Sequence, residues 1–188
     1  MSEFEKMVNG EFYDSFNGEL VEKRRQARLL TYEFNNTSID ELSKRTEILK
    51  KLFGKTGNRI HIEPTFNCDY GCNIFVGENF YMNYNCAFLD VCKITIGDNC
   101  FIAPQVGIYT ATHPTNPIER RNREYGKPIT IGNDCWIGGH ATINPGVTLG
   151  NNVVVASGSV VTKSFGDNVI IGGNPARILK TVDVKPQK

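Results

Sequence analysis

Hydrophobic residues recur at every sixth position over the C-terminal part of the chain. Six consecutive hexads open with Ile, Leu or Val, and their fifth residue is small or β-branched in all but one, which has Phe165. This period fits neither an α-helix, with about 3.6 residues per turn, nor a hairpin sheet, whose side chains alternate every second residue. It predicts an all-β solenoid, in which the first residue of each hexad fills the interior. The opening residues are Ile131, Ile137, Ile143, Leu149, Val155 and Val161.

The same register extends towards the N-terminus in two further sets of hexads. They open at Ile96, Ile102 and Ile108, and at Val76, Met82 and Phe88. Two extra residues separate the two sets, so we expect the corner before Ile96 to bulge. Three hexads make one triangular coil, which gives roughly five coils when partial ones are counted. The Gly, Asn and Asp residues between the apolar positions suit the corners, where the chain must turn.

The N-terminal part of the chain follows a different pattern, typical of amphipathic helices. Between Glu19 and Phe34, residues suited to one helix face recur at spacings of three and four. A second helix is predicted after Ser38, with Glu41 completing a capping box and Gly54 as the stop. We therefore divide the chain into a short helical segment at 1–55, a hexapeptide-repeat β-helix at 56–180 with a protruding loop at 114–128, and a tail at 181–188.

Composition and charge narrow the classes of partner. The 188 residues carry a formal net charge of +1, which argues against nucleic acid or an acidic membrane surface. The first residues lack the order of a signal peptide, and no apolar run approaches the ~18 residues that span a bilayer. These observations predict a cytoplasmic protein that binds neither nucleic acid nor membranes.

The hexad pattern explains four of the six cysteines. These four occupy the fifth position of a hexad, where a small apolar residue belongs, so we expect them to be buried packing residues. They are Cys86, Cys92, Cys100 and Cys135. Cys68 and Cys72 are four residues apart, and no second Cys or His pair completes a zinc pattern. The sequence therefore predicts neither a metal site nor a disulfide, and the roles of Cys68 and Cys72 stay open.

Five short segments accompany the hexads. They are TATHP at 110–114, GGNPAR at 172–177, EPTF at 63–66, CDYG at 68–71 and LDVC at 89–92. Together they resemble the hexapeptide-repeat acyltransferases, most closely the maltose and galactoside O-acetyltransferases, over nearly the whole chain. The resemblance implies a left-handed parallel β-helix and a homotrimer with active sites between subunits. The left hand comes from the resemblance alone, because general crossover rules favour the right hand.

His113 is the candidate catalytic residue. It ends a regular hexad, precedes Pro114 and opens the one long irregular stretch of the solenoid, and such stretches are often functional. From the residues alone, a loop-edge histidine without a role is the alternative. The resemblance implies that His113 is the general base, which takes the proton of a sugar hydroxyl as the oxygen attacks the thioester of acetyl-CoA. His61 and His140 are expected to point outwards.

The resemblance also implies the ligand-binding residues. For the sugar acceptor they are Asp69, Asn83 and Asp90, and for coenzyme A they are Gly139, Ser157, Thr162, Lys163 and Arg177. The Gly138-Gly139 pair can supply a backbone N–H to the developing oxyanion, and simple turn geometry would explain it equally. Two positions depart from the family pattern. Ser15, next to Asp14, stands where the galactoside enzymes have an aspartate, and Lys180 stands where an arginine is frequent.

The predicted function is transfer of an acetyl group from acetyl-CoA to a hydroxyl of a maltose- or glucose-like sugar, by direct attack in a ternary complex and without a metal. Two alternatives remain. A metal-dependent lyase of the carbonic-anhydrase type occurs on similar solenoids but needs three convergent histidines. A solenoid that only binds a partner would not need the irregular loop that begins at His113. The physiological sugar, the acetylated hydroxyl and the biological role stay open.

Overall fold

The computed structural model describes residues 1–184, an N-terminal helical segment followed by a parallel β-solenoid. The helices are α1 (Glu3–Val8), α2 (Gly18–Asn36), α3 (Leu42–Leu52) and the short α4 (Pro117–Arg120). A complete coil of the solenoid contributes one short strand to each of three sheets, which form the sides of a triangular prism. Three strands depart from this parallel arrangement. Strand β18 (Ala176–Thr181) pairs antiparallel with the last strand of sheet 1, and β9 (Ala111–Thr112) pairs antiparallel with β10 (Tyr125–Gly126).

The three sheets are built from strands of two to five residues. Sheet 1 contains β1 (Ile60–Ile62), β4 (Phe80–Met82), β7 (Phe101–Ile102), β12 (Trp136–Ile137), β15 (Val153–Val155) and β17 (Val169–Gly173). Sheet 2 contains β2 (Phe66–Cys68), β5 (Cys86–Leu89), β8 (Gly107–Tyr109), β13 (Thr142–Ile143) and β16 (Val160–Val161). Sheet 3 contains β3 (Ile74–Val76), β6 (Ile94–Ile96), β11 (Ile129–Ile131) and β14 (Thr148–Leu149).

The strand register confirms the predicted parallel solenoid. Successive coils pair in parallel, with Tyr81 opposite Phe101 and Trp136 opposite Val154. The opening residue of every predicted hexad is at most 2% exposed, so these side chains form the interior of the prism. Sheet 1 has six parallel levels, against the roughly five coils expected, because the first coil, 60–76, precedes the hexad register.

The cysteines confirm the packing prediction. Cys86, Cys92, Cys100 and Cys135 are fully buried, and all six cysteines are free thiols. Burial raises the pKa of Cys92 to about 11, so its thiol is neutral at physiological pH and serves as a small apolar side chain. Of the two cysteines left open by the sequence, Cys68 is buried at the end of β2 and Cys72 is exposed.

The corners between sheets 3 and 1 show why Asn and Asp occur at intervals along the hexads. Asn79, Asn99 and Asp134 adopt positive φ values of 54°, 57° and 57°, which short polar side chains tolerate better than other non-glycine residues. Their side chains form a ladder that links neighbouring coils: the Asn79 amide donates to Asn99 at 2.8 Å, and the Asn99 amide donates to Asp134 at 3.1 Å. Each corner therefore supplies both a turn and a bond to the next coil.

The helical segment contains both predicted helices, but the start of α3 differs from the expectation. Helix α3 begins only at Leu42, which is exposed, and it has no side-chain cap. The Ser38 side chain accepts instead from the Asp40 N–H within a turn, so the predicted capping box does not form there. A capping box does occur at Ser2 and Glu5 of α1, a helix too short to show a hydrophobic period.

The helices cover the first coil of the solenoid. The Asn35 side chain bonds both the N–H and the C=O of Phe66, and buried Arg45 donates to the carbonyls of Phe34, Thr37 and Ile62. Such bonds satisfy backbone groups that an end coil would otherwise leave unpaired. None of the helices within residues 1–184 is long and apolar enough to cross a membrane. Of the predicted tail, residue 181 ends β18, and 185–188 lie outside the described residues.

Candidate functional site

The predicted site residues fall on two edges of the prism. We call the edge between sheets 1 and 2 the Asn83 corner, and it carries Asn83, Gly139, Ser157 and Arg177. We call the edge between sheets 2 and 3 the His113 corner, and it carries Asp69, Asp90, His113, Thr162 and Lys163. Sheet 2 separates the two corners, so one chain does not bring both sets into a single pocket.

His113 directly follows the β9 strand, at the start of the insertion between sheets 2 and 3. Its Nδ1 lies 3.4 Å from the Arg123 carbonyl and its Nε2 lies 3.9 Å from a carboxylate oxygen of Glu124. A carbonyl can only accept a hydrogen bond, so in the neutral imidazole that donates to it Nδ1 carries the proton and Nε2 keeps its lone pair. The imidazole, about half exposed, therefore presents a free basic nitrogen beside a carboxylate.

A cleft of about 460 Å³ opens beside His113. One wall is the segment before α2, and the other is the end of the insertion loop. The lining residues are Tyr13, Asp14, Ser15, Phe16, His113 and the stretch 120–124. The two walls are joined by a backbone bond from the Tyr13 N–H to the Glu124 carbonyl, 3.3 Å long. Asp14 and Ser15, to which the sequence assigned no role, thus both face the cleft.

Asp69 lies close to the cleft residues Tyr13 and Glu124. Its side chain is half-buried, and its carboxylate makes no hydrogen bond within residues 1–184. Burial raises the pKa of Asp69, opposed by the positive charges of Arg24 and Arg28 on α2. A half-buried carboxylate without a partner is suited to accepting hydrogen bonds from the hydroxyls of a ligand.

Asp90, predicted to contact the acceptor, lies beneath the surface of the His113 corner. The residue is fully buried, and its carboxylate accepts from the backbone N–H groups of Asp69 (3.0 Å), Tyr70 (2.9 Å) and Asn73 (3.4 Å). Burial raises its pKa to about 7, the Tyr70 N–H opposes this, and the Asp69 charge adds to it. Both carboxylate oxygens thus accept from backbone N–H groups of the first coil, and contact of Asp90 with the acceptor stays a prediction.

These bonds also explain the predicted bulge. From Phe88 to Ile96 the chain takes two residues more than a hexad allows, and the preceding coil has the same extra length between Cys68 and Val76. Asp90 bonds the extra backbone of the lower coil. One coil further on, the Thr110 hydroxyl accepts from the Cys92 N–H at 2.9 Å and donates to the Leu89 carbonyl at 2.7 Å. At the bulged corner, a side chain of each coil is therefore hydrogen-bonded to the backbone of the coil before it, up to the start of the insertion.

At the Asn83 corner, several hydrogen-bond donors have no partner in the described part of the chain, 1–184. The Asn83 side-chain oxygen accepts from the Tyr84 N–H at 2.8 Å, which directs its NH₂ group away from the backbone. The backbone N–H groups of Gly139 and Ser157 donate to no atom within residues 1–184. A Cβ on Gly138 would lie 2.6 Å from the Val155 carbonyl, whereas one on Gly139 would meet nothing closer than 3.3 Å. Packing therefore accounts for Gly138, and Gly139 presents an accessible donor.

The remaining residues predicted to bind coenzyme A are exposed. Thr162 and Lys163 follow β16 at the His113 corner, with the Lys163 Nζ 5.5 Å from the centre of the Phe165 ring. Arg177 lies opposite Gly172, and its guanidinium donates to the Ala176 carbonyl at 2.9 Å. Lys180, further along β18, is also exposed. The cations are thus divided between the two corners.

The other two histidines lie apart from the cleft lining. His61 is on the outer face of sheet 1, where its ring stacks on Tyr81 and its Nε2 is 3.0 Å from a Glu63 carboxylate oxygen. His140 is exposed at the Asn83 corner. Both point outwards, as predicted. Within residues 1–184, no three His, Cys, Asp or Glu side chains are grouped closely enough to hold a metal ion.

Four residues near the cleft were not predicted as site residues: Tyr13, Arg24, Tyr70 and Glu124. The Arg24 guanidinium donates to the Tyr70 hydroxyl at 2.7 Å and to the Ser15 carbonyl at 2.5 Å. The Tyr13 hydroxyl is buried and has no hydrogen-bond partner within residues 1–184; burial raises its pKa, and the nearby Glu124 carboxylate adds to the effect. One signal was available, because Arg24 is a charged residue at a position of α2 otherwise suited to the apolar face.

Two protein-family descriptions match the chain. A maltose acetyltransferase hexapeptide capping motif matches residues 6–57, and a hexapeptide repeat of succinyl-transferase matches residues 128–163. The first match coincides with the helical segment, and the second covers two coils of the solenoid beyond the insertion.

Proteins of known name or structure resemble the chain over nearly its whole length. A maltose O-acetyltransferase from Clostridium difficile is 50% identical with a TM-score of 0.97, over 98% of this chain and 99% of that one. The galactoside O-acetyltransferase of Escherichia coli is 41% identical over 180 residues, 95% of this chain and 89% of that protein. A hexapeptide-repeat acetyltransferase from Vibrio cholerae, solved with acetyl coenzyme A, is 39% identical with a TM-score of 0.90, over 98% of this chain and 100% of that one.

Proposed function

This chain belongs to the hexapeptide-repeat acetyltransferases, and we propose that it transfers an acetyl group from acetyl-CoA to a hydroxyl of a maltose- or glucose-like sugar. The observation that carries the proposal is the free Nε2 of His113, which lies beside the Glu124 carboxylate at the edge of a cleft. A sugar hydroxyl is a poor nucleophile, so the transfer needs a neutral base at this position. We take acetyl-CoA as the acyl donor, and a sugar as the acceptor, from the relatives named above.

The proposed mechanism is direct transfer within a ternary complex. His113 Nε2 takes the proton of the sugar hydroxyl while the oxygen attacks the thioester carbonyl carbon of acetyl-CoA. The tetrahedral intermediate collapses, the C–S bond breaks, and the proton on His113 passes to the leaving thiolate. The Glu124 carboxylate stabilises the imidazolium that forms in between. A free N–H such as that of Gly139 is suited to stabilising the oxyanion.

We assign acceptor binding to Asp69 and Asn83. Neither the Asp69 carboxylate nor the Asn83 NH₂ group has a partner among residues 1–184, so the first can accept from sugar hydroxyls and the second can donate to them. Coenzyme A is assigned to Gly139, Ser157, Thr162, Lys163 and Arg177. Gly139 and Ser157 offer backbone donors for its amide groups, and the two cations are suited to its phosphates.

The division of these residues between two corners supports a homotrimer with shared sites. Asn83 and His113 lie on opposite sides of sheet 2 in one chain, yet both are assigned to the same acceptor. The assignment is satisfied if the Asn83 corner of one subunit faces the His113 corner of its neighbour. A heterologous contact of this kind closes into a ring, here of three subunits.

The acetyl-transfer proposal is tested with acetyl-CoA and a panel of neutral sugars. We expect sugar-dependent release of the coenzyme A thiol and a product heavier by one acetyl group, with maltose and glucose among the best acceptors. Enzyme that has been treated with reductant and chelator and then desalted should retain its activity. Thiol release without sugar acetylation would contradict the proposal. Loss of activity on chelation, restored by zinc, would favour the metal-dependent alternative.

The shared site is tested by subunit complementation. His113→Ala and Asn83→Ala homotrimers should each be impaired, the second by about tenfold for the loss of one hydrogen bond. Mixed trimers made by refolding the two variants in equal amounts should regain about a quarter of parent activity, because sites pairing one intact His113 with one intact Asn83 reappear. Sedimentation equilibrium should give three times the 21.0 kDa chain mass. Active monomers, or mixed trimers without recovery, would contradict the shared site.

A further inference from the structure

The buried carboxylate of Asp90 is a hydrogen-bonding centre that the proposed mechanism does not use. It accepts from three backbone N–H groups, those of Asp69, Tyr70 and Asn73. The Asn73 side chain returns a bond of 2.7 Å to the Asp90 carbonyl. All four residues belong to the His113 corner, where the chain is two residues longer than a hexad. The extra residues lack regular strand pairing, so Asp90 determines the path of the backbone there.

The contacts continue from this corner to the cleft. Tyr70, held at its N–H by Asp90, accepts at its hydroxyl from Arg24 at 2.7 Å. The same guanidinium donates to the carbonyl of Ser15, which lines the cleft opposite the insertion loop. The Asp69 N–H is held by the same carboxylate oxygen as the Tyr70 N–H. The segment before α2 that lines the cleft, residues 13–16, is called the Ser15 wall below. One buried carboxylate thus supports Asp69 directly and the Ser15 wall through Tyr70 and Arg24.

We infer that Asp90 is a positioning residue for the sugar acceptor, which holds Asp69 and the Ser15 wall at the distances that binding requires. The inference rests on the proposed function, because it assumes that the acceptor binds at Asp69 and the cleft. Asparagine cannot replace Asp90 fully. It offers one oxygen where the carboxylate offers two, and its NH₂ group would face the Asn73 N–H, a donor against a donor.

The charged and titratable groups around Asp90 agree with this role. Asp69, Cys68 and Cys72 lie nearby on the first coil. From α2, Arg24 faces Asp69 and Lys23 faces Cys72. No cation forms an ion pair with Asp90 within residues 1–184, so backbone donors alone compensate its charge. Substitution should therefore displace the backbone that supplies those donors.

The test compares Asp90→Asn with a matched control, Asp98→Asn. Asp98 also accepts a backbone N–H of the preceding coil, that of Glu78 at 2.8 Å, but it lies at an exposed corner between sheets 3 and 1. With maltose as acceptor, Asp90→Asn should raise the acceptor KM by about tenfold or more and leave the KM for acetyl-CoA within about twofold of the parent. Asp98→Asn should change neither constant. An unchanged acceptor KM, or equal rises in both constants, would overturn the inference.

Two further measurements test the inference if Asp90→Asn does not fold or if the parent acetylates no sugar. If Asp90→Asn does not fold, Tyr70→Phe removes only the hydroxyl that Arg24 contacts, and it should raise the acceptor KM severalfold; a parent-like KM would refute the positioning path. If the parent acetylates no sugar, the proposed function fails separately. Hydrogen exchange then decides: Asp90→Asn should lose protection at Asp69 and Tyr70 and in the Ser15 segment, while Asp98→Asn should not. Unchanged protection in both variants would overturn the inference.

Discussion

Replacing His113 with alanine should lower the turnover number by about 10²–10⁴-fold, the range typical of a positioned general base. At this point of the cleft the neutral imidazole offers Nε2 as a base, since Nδ1 faces the Arg123 carbonyl. The dissociation constant for coenzyme A should change little, because the residues assigned to it do not contact His113. Steady-state kinetics with maltose and a direct binding measurement for coenzyme A check both expectations.

His61→Ala is the control for this experiment. It makes the same chemical change at an exposed histidine on the outer face of sheet 1, outside the lining of the cleft, and it should retain most of the activity. Both variants should melt close to the parent temperature, because neither imidazole belongs to the core. A folded His113→Ala protein with near-normal turnover would refute the mechanism and leave the fold unaffected.

Replacing Ile171 with alanine should lower the free energy of unfolding by about 2–5 kcal/mol. Ile171 is fully buried in β17, and truncating it removes apolar contacts and leaves a cavity in the last parallel level of sheet 1. For a chain of this length, the loss corresponds to a fall in melting temperature of about 5–15 °C. Thermal unfolding of parent and variant at equal protein concentration measures it.

The neighbouring residue provides a matched control. Ile170 has the same side chain on the same strand but points to the outer face of sheet 1 and is only half-buried. Ile170→Ala should cost clearly less than Ile171→Ala because its side chain does not fill the interior. Equal losses for the two variants would contradict the alternation of inward and outward positions along β17.

The experiments on His113 and on Asp90 separate two kinds of contribution to one site. His113 acts on the reacting atoms, so replacing it should lower the turnover number. Asp90 acts through the backbone to which it is hydrogen-bonded, so replacing it should raise the KM for the acceptor. The complementation experiment adds a third, independent result, because it reports whether Asn83 reaches the acceptor from a second subunit.

The sequence alone was sufficient to predict the solenoid and the inward-facing residues. Side chains on a strand alternate between faces whatever the distant surroundings, so a period of six identifies the interior without knowledge of the neighbouring coil. The burial of Cys86, Cys92, Cys100 and Cys135 follows for the same reason. Helix α2 was predictable because its apolar face is long enough to show a period.

The tertiary structure alone decided which side chains meet at the site. In the sequence, Asp90 is one more polar residue at a corner. In the structure, its carboxylate accepts a hydrogen bond from the backbone N–H of Tyr70, 20 positions away in the neighbouring coil. Arg24 meets Tyr70 across 46 positions, and no local period reports such a contact. The direction of a side chain is a local property of the strand, whereas its partners depend on how successive coils stack.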